Sequence, residues 1–174
     1  LGAGLVSLFN CFDPDKIILP DYLADTQEMR KEFAKYLAEI EVLDQQIGKL
    51  LSLLDECLIA NNTVVIFTSE QGAQIPGCKW TNYNNGVHTG FIVRWPGKVK
   101  PGIRTDALIQ YEDVLPTLIE ICGGKPAPES FDGKSFLQVL LGNKNSHRDF
   151  AYFMHNNYPE GPSYPIRSIT DGVF

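Results

Sequence analysis

The residues best placed to do chemistry sit in one Gly/Asn/Pro-rich stretch, residues 69–90. Glu70 offers two carboxylate oxygens and Gln71 a carbonyl oxygen, and Gly72 behind them lets the backbone turn sharply. Hard cations such as Ca²⁺ take six to eight oxygen ligands, so this pair could fill only a minority of a shell. Lys79 follows eight residues after Gln71. An ammonium there could hold an anionic oxygen and neutralise charge that grows on a leaving group. Residue type and spacing alone favour plainer readings: a polar loop at 69–72 and a solvated lysine at 79. His88, His147 and His155 are too dispersed for a histidine-based zinc motif, and each reads singly as structural or surface. The four cysteines, Cys11, Cys57, Cys78 and Cys122, include no C-x-x-C pair, which argues against zinc and for free thiols over a single disulfide.

The elements that must position these residues are legible in the patterning. Thr63-Val-Val-Ile-Phe-Thr68 is rich in β-branched residues and does not alternate, as in a strand covered on both faces within a parallel sheet. In open α/β sheets ligands bind beyond the carboxyl ends of strands, which is where this strand delivers Ser69–Gly72. Upstream, Asp25-Thr26-Gln27-Glu28 is a capping signal. Apolar residues follow at Met29, Phe33, Tyr36, Ile40, Leu43, Ile47, Leu50, Leu54 and Leu58. Steps of three and four predict one stripe on a helix of about eight turns, ended by Asn61-Asn62, with Glu41 and Asp44 on its solvated face. Residues 13–24, with Pro14 and Pro20, read as an extended segment.

Phe91–Trp95 is a second buried strand, closed by Pro96-Gly97. The loop between the two strands is too long for a simple connector, and such loops are often functional. A helix is expected from about Glu112 to Cys122, stopped by Gly123-Gly124, and a shorter one from about Ser135 to Leu141. Phe150–Met154 and Ile166–Thr170 read as two strands paired antiparallel across a polar loop.

With 174 residues the chain fits one ordinary domain; 44% of them are apolar and 21% charged. A formal charge of −6 and the lack of a Lys/Arg cluster argue against a nucleic-acid partner. No apolar run reaches 18 residues, so no membrane span is expected. The opening LGAGLVSLFN is a poor secretory signal, and both ends read as cuts.

Several of these segments together resemble the sulfatase family. They are Val65-Ile-Phe-Thr-Ser-Glu-Gln-Gly72, Cys78-Lys79-Trp80, Gly86-Val87 and Phe91-Ile-Val-Arg-Trp-Pro-Gly97. Ile40–Gly48, Glu112-Asp113-Val-Leu-Pro-Thr-Leu118 and Asp132-Gly133-Lys134-Ser135 agree in collinear order, so the likeness covers roughly residues 13–170. His155-Asn156-Asn157 followed by Ser163–Ser168 resembles the heparan N-sulfatase group of that family.

The resemblance implies the C-terminal part of an alkaline-phosphatase-like α/β fold. It would have a mostly parallel sheet flanked by helices, and the start of a small antiparallel C-terminal sheet. Residues 1–142 would belong to the catalytic domain and 143–174 to a small subdomain. The resemblance also implies a hydrolase of sulfate esters or sulfamates on glycosaminoglycan-type sugars, outside the cytoplasm. Glu70 and Gln71 stand where the family has the Asp and Asn that bind Ca²⁺, and Lys79 where it has the lysine that touches sulfate. His155 and Arg167 become candidate substrate contacts. No cysteine lies in the Cys-x-Pro-x-Arg motif that matures to formylglycine, so this stretch by itself is expected to be inactive. A phosphoryl-transfer enzyme of the same superfamily and a non-catalytic sugar-binding piece are the alternatives. The oligomeric state has no sequence signal.

Overall fold

The computed structural model describes residues 27–74, 77–156 and 165–173. Residues 1–10, the extended segment at 13–24, Cys11, the capping residues Asp25 and Thr26, and the loop containing Asn157, Ser163 and Tyr164 lie outside them. The chain divides into two compact units, one comprising the chain up to Phe67 with Gly90–Pro96, the other Thr68–Thr89 with Gly97 onward.

The first unit carries helix α1 (Gln27–Glu56) and the core of a two-stranded pair, β1 (Val65–Thr68) and β2 (Phe91–Arg94). The predicted long helix and both strands are present, but the stripe shifts part-way. Phe33, Tyr36 and Ile40 are withdrawn from solvent as expected. The inward face then runs through Asp44, Ile47, Leu51 and Leu54, while Leu43 and Leu50 are exposed at 40% and 63%. Leucines and valines lie all around this helix, so more than one set of three-and-four steps fits the sequence. Asp44 turns inward and is not on the solvated face. The helix also stops earlier than expected. Leu58 adopts a φ of 57° and is 91% exposed, and Ile59 N–H donates to Leu54 O at 3.1 Å, so the reversal precedes Asn61-Asn62.

The second unit holds the short α2 (Asn84–Val87), α3 (Val114–Ile121), α4 (Leu137–Leu140) and the hairpin β3 (Ala151–Asn156) and β4 (Pro165–Thr170). The hairpin is antiparallel, as expected, with Ala151 opposite Thr170 and Asn156 opposite Pro165. Its core combines Phe136, Leu137, Ala151 and Pro116 with two polar residues, Asp113 and Thr117.

Asp113 is wholly buried, and its carboxylate accepts four hydrogen bonds. These come from Gln110 N–H (2.9 Å), Lys134 N–H (2.8 Å), Arg148 Nε (2.7 Å) and Arg148 Nη2 (2.5 Å). Thr117 Oγ1 donates to Asp113 O at 2.7 Å and accepts from Phe136 N–H at 3.0 Å. Gly133 is required here, because a Cβ would overlap the carbonyl of Glu112. Burial pushes the Asp113 pKa up. The Arg148 hydrogen bond, the Lys134 and Gln110 amides and the guanidinium charge outweigh it and hold the carboxyl below its ordinary value. His147 Nε2 lies 3.2 Å from Asp113 Oδ2 but not in hydrogen-bond geometry. Burial, with the nearby Arg148 and Lys134 charges, outweighs the pull of the Asp113 carboxylate and pushes the His147 pKa down.

A depressed folded pKa stabilises the protein above the unfolded carboxylate value and is lost as pH falls through the folded one. Asp113→Ala removes both Arg148 hydrogen bonds, leaving the half-buried guanidinium only Glu112 at 3.3 Å, and should cost about 3 kcal/mol in urea unfolding. Asp113→Asn should remove much of the stability loss that the native chain shows below about pH 4. An Asp113→Ala loss under about 1 kcal/mol would contradict this account of the core.

Candidate functional site

The loop after β1 is fastened at both shoulders. Tyr111 Oη donates to the carbonyl of Ser69 and lies 2.8 Å from Thr89 Oγ1. Gly72 N–H donates to Gly86 O at 2.9 Å, an approach open only to glycine, since a Cβ on Gly72 would overlap the carbonyl of Asn85. Between these fixed points Glu70 is exposed and Gln71 half-buried, with Gln71 Nε2 donating to Glu70 Oε1 at 3.3 Å. The adjacent carboxylate and amide make an oxygen-only donor set. Among the described residues no group of three or more His, Cys, Asp or Glu could hold a metal.

Lys79 is carried by a tight turn in the same unit. Its N–H donates to Ala73 O at 3.0 Å, two residues past Gln71, and its Nζ lies 5.9 Å from the centroid of the Trp80 ring. Thr81 Oγ1 closes the turn by donating to Cys78 O at 2.7 Å, and Asn82 Nδ2 ties it to Phe153 O of β3 at 3.3 Å. Cys78 is buried, and burial pushes its thiol pKa up, which disfavours the nucleophilic thiolate. Cys57, Cys78 and Cys122 are all free.

The structure thus holds Glu70, Gln71 and Lys79 on one braced loop. It does not bring His155 and Arg167 to one surface. Met154 stands opposite Arg167 and His155 opposite Ile166. Directly opposed residues share a face and successive ones alternate, so His155 and Arg167 lie on opposite faces of the hairpin. Arg167 Nη1 donates to Asn156 Oδ1 and to Ile166 O, both at 3.1 Å. His88 is exposed. Residue type gave no hint of Tyr111 or Gln110. The Gln110 amide donates to Tyr152 O at 2.8 Å and accepts from Tyr152 N–H at 3.2 Å, as a strand would. Its only signal is its place one turn before Asp113.

The loop from Cys78 onward and the segment that carries Tyr111 fall within a match to known proteins. The family model described as N-sulphoglucosamine sulphohydrolase, C-terminal, matches residues 78–167. The chain belongs to this sulfatase family. An ulvan-active sulfatase from Formosa agariphila is 37% identical over 143 residues, which is 81% of this chain and 28% of that protein. A solved structure in complex with its substrate D-glucosamine-2-N,6-O-disulfate has a TM-score of 0.63 at 25% identity, covering 79% of this chain and 29% of the other. A phosphonate monoester hydrolase from Silicibacter pomeroyi has a TM-score of 0.59 at 27% identity, covering 69% and 24%. The fold class expected from the sequence, the C-terminal part of an alkaline-phosphatase-like α/β fold, is the one found. The sulfatase chain spans between 24% and 29% of the length of these three proteins. No helix among the described residues is long and apolar enough to cross a membrane.

The bracing of the loop can be tested directly. Gly86→Ala would place a Cβ against the carbonyls of Cys78 and Thr81, both backbone atoms, and should destabilise the chain by roughly 1–3 kcal/mol. In hydrogen exchange the amides of Gly72 and Lys79 should lose protection first. Protection at both amides matching the native chain would refute the bracing.

Proposed function

We propose that the protein carrying this chain hydrolyses sulfate esters or sulfamates on glycosaminoglycan-type sugars outside the cytoplasm. The observation that carries this reading is the family match over 78–167, which takes in Lys79 on its braced turn, while Glu70 and Gln71 precede the match on the same loop. An N-sulfated glucosamine appears both in the description of the family model and in the substrate of a structural neighbour, which favours heparan-type sugars.

The donor chemistry fits Ca²⁺. Glu70 and Gln71 supply oxygens on adjacent residues at the carboxyl end of β1, and further ligands would come from outside this chain. When bound, Ca²⁺ would polarise the sulfate oxygens. The formylglycine nucleophile would likewise come from outside residues 1–174. The role left to this chain is electrostatic. The Lys79 ammonium holds a sulfate oxygen and offsets the charge that moves as the S–O or S–N bond breaks. The Ala73 and Thr81 hydrogen bonds keep the turn in place, so little reorganisation is needed at that moment.

A phosphonate or phosphate ester substrate is the competing reading, favoured by the Silicibacter neighbour. Gln71, an oxygen donor where zinc or manganese enzymes of the superfamily often have His, supports the hard-cation sulfatase site.

In the full-length protein, Lys79→Ala should lower kcat/KM for N-sulfoglucosamine or an aryl sulfate by about 10²-fold, or roughly 2.7 kcal/mol. Lys79→Arg should recover only part, because a planar fork replaces a compact charge. Kinetics for Lys79→Ala within twofold of wild type, with the fold intact, would sink the role. Faster turnover of an aryl phosphonate than of the matched sulfate would select the competing reading. Residues 1–174 alone should turn over neither sulfate, and turnover that survives repurification would contradict the need for an outside nucleophile.

A further inference from the structure

Trp80 is held at a φ of 64°, the left-handed region that side chains with a Cβ avoid and that is a true outlier for a bulky residue. Strain of this kind persists only where the surroundings over-determine it, and it concentrates at functional sites. The turn around Trp80 is over-determined in this sense. Gly77 also has positive φ, at 81°, and Thr81 Oγ1 donates back to Cys78 O at 2.7 Å. Lys79 N–H is bonded to Ala73 O, Asn82 is tied to Phe153 O, and Gly86 packs so closely that a Cβ would strike the Cys78 and Thr81 carbonyls.

The side chain held up by this arrangement is not a core residue. The Trp80 indole is 63% exposed, so burial does not account for the strain. Its ring lies 5.9 Å from Lys79 Nζ. A broad apolar face beside an ammonium complements one ligand chemistry in particular, a sugar ring that carries an anionic group. The C–H face of the ring lies on the indole while the anion meets the cation.

We propose that Trp80 is the sugar platform of this site. It stacks on the pyranose whose sulfate Lys79 holds, and so selects sulfated sugars over sulfate groups carried on small or flexible alcohols. The proposal deepens the sulfatase reading and rests on it. Trp80 sets affinity for the sugar ring, and Lys79 acts on the sulfate.

Trp80→Gly in the full-length protein separates platform from scaffold, because it deletes the indole and relieves the positive φ together. Its Tm should equal or exceed that of wild type. KM for N-sulfoglucosamine should rise about tenfold, equivalent to ~1.4 kcal/mol, with a smaller change in kcat. Competitive inhibition by inorganic sulfate should stay within twofold, since Lys79 is intact. Trp80→Phe should recover part of the sugar affinity. A Trp80→Gly enzyme with unchanged KM for the sugar overturns the platform, as does one with lowered Tm and sulfate inhibition weakened alongside KM, the mark of a structural tryptophan. Wild-type turnover of aryl sulfates but of no sulfated sugar overturns the platform and leaves a sulfatase. Absence of turnover on every sulfate tested refutes the sulfatase reading and the platform with it.

Discussion

The buried carboxylate of Asp113 is the fixed point of the second unit. A charge taken out of water costs several kcal/mol unless donors surround it, and here backbone and guanidinium donors from three separate segments do so. Gln110 N–H, Lys134 N–H and Arg148 belong to the turn before α3, the Asp132-Gly133 turn and the strand approach to β3. None of the three can move without exposing a donor or stranding the charge. The consequence reaches the candidate site through immediate neighbours. Gln110 pairs with Tyr152 at the edge of β3, and Tyr111 donates to Ser69 beside Glu70. A polar residue at the centre of the core thereby sets the position of a loop that it never touches.

The same logic explains why the loop can be long and still defined. Glycines at 72 and 86 allow two backbone segments to touch, and the bond from Gly72 N–H to Gly86 O fills the space that side chains would occupy. Each shoulder is satisfied by backbone or hydroxyl partners, so the side chains of Glu70, Gln71 and Lys79 take no part in fastening it. A loop held by packing alone would need apolar side chains where this one carries a carboxylate, an amide and an ammonium.

How far the sequence reveals this depends on which physical signal each feature leaves. Helix α1, strands β1 and β2 and the β3–β4 hairpin announce themselves through periodicity and β-branched runs. The phase of α1 does not, because Leu37, Val42, Leu43, Leu50 and Leu53 add exposed apolar residues around the true inward face. Asp113 escapes a reading that equates core with hydrophobic, and only its place in a family-like segment marks it. Glu70, Gln71 and Lys79 are visible as types, but their bracing depends on Tyr111, which is 42 residues from Ser69 and 22 from Thr89. His155 and Arg167 were paired by motif, and the hairpin register that separates them is fixed across a loop whose length no local pattern sets.

The resemblance to sulfatases places Glu70 where that family has an aspartate. Glutamate in place of aspartate carries the carboxylate farther from the backbone by one carbon–carbon bond, about 1.5 Å. The backbone cannot retreat to compensate. Ser69 is held by Tyr111 on one side and Gly72 by Gly86 on the other. The added reach must therefore be absorbed by the side chain, which is exposed and has one more rotatable bond, or, under the proposed Ca²⁺ site, by the position of the cation. The bond from Gln71 Nε2 to Glu70 Oε1 favours the first course, since it bends the carboxylate back toward its neighbour and keeps both oxygen donors on the same turn. A longer arm on a pinned backbone can then keep its carboxylate beside Gln71 only by folding, and its exposure is what leaves it room to do so.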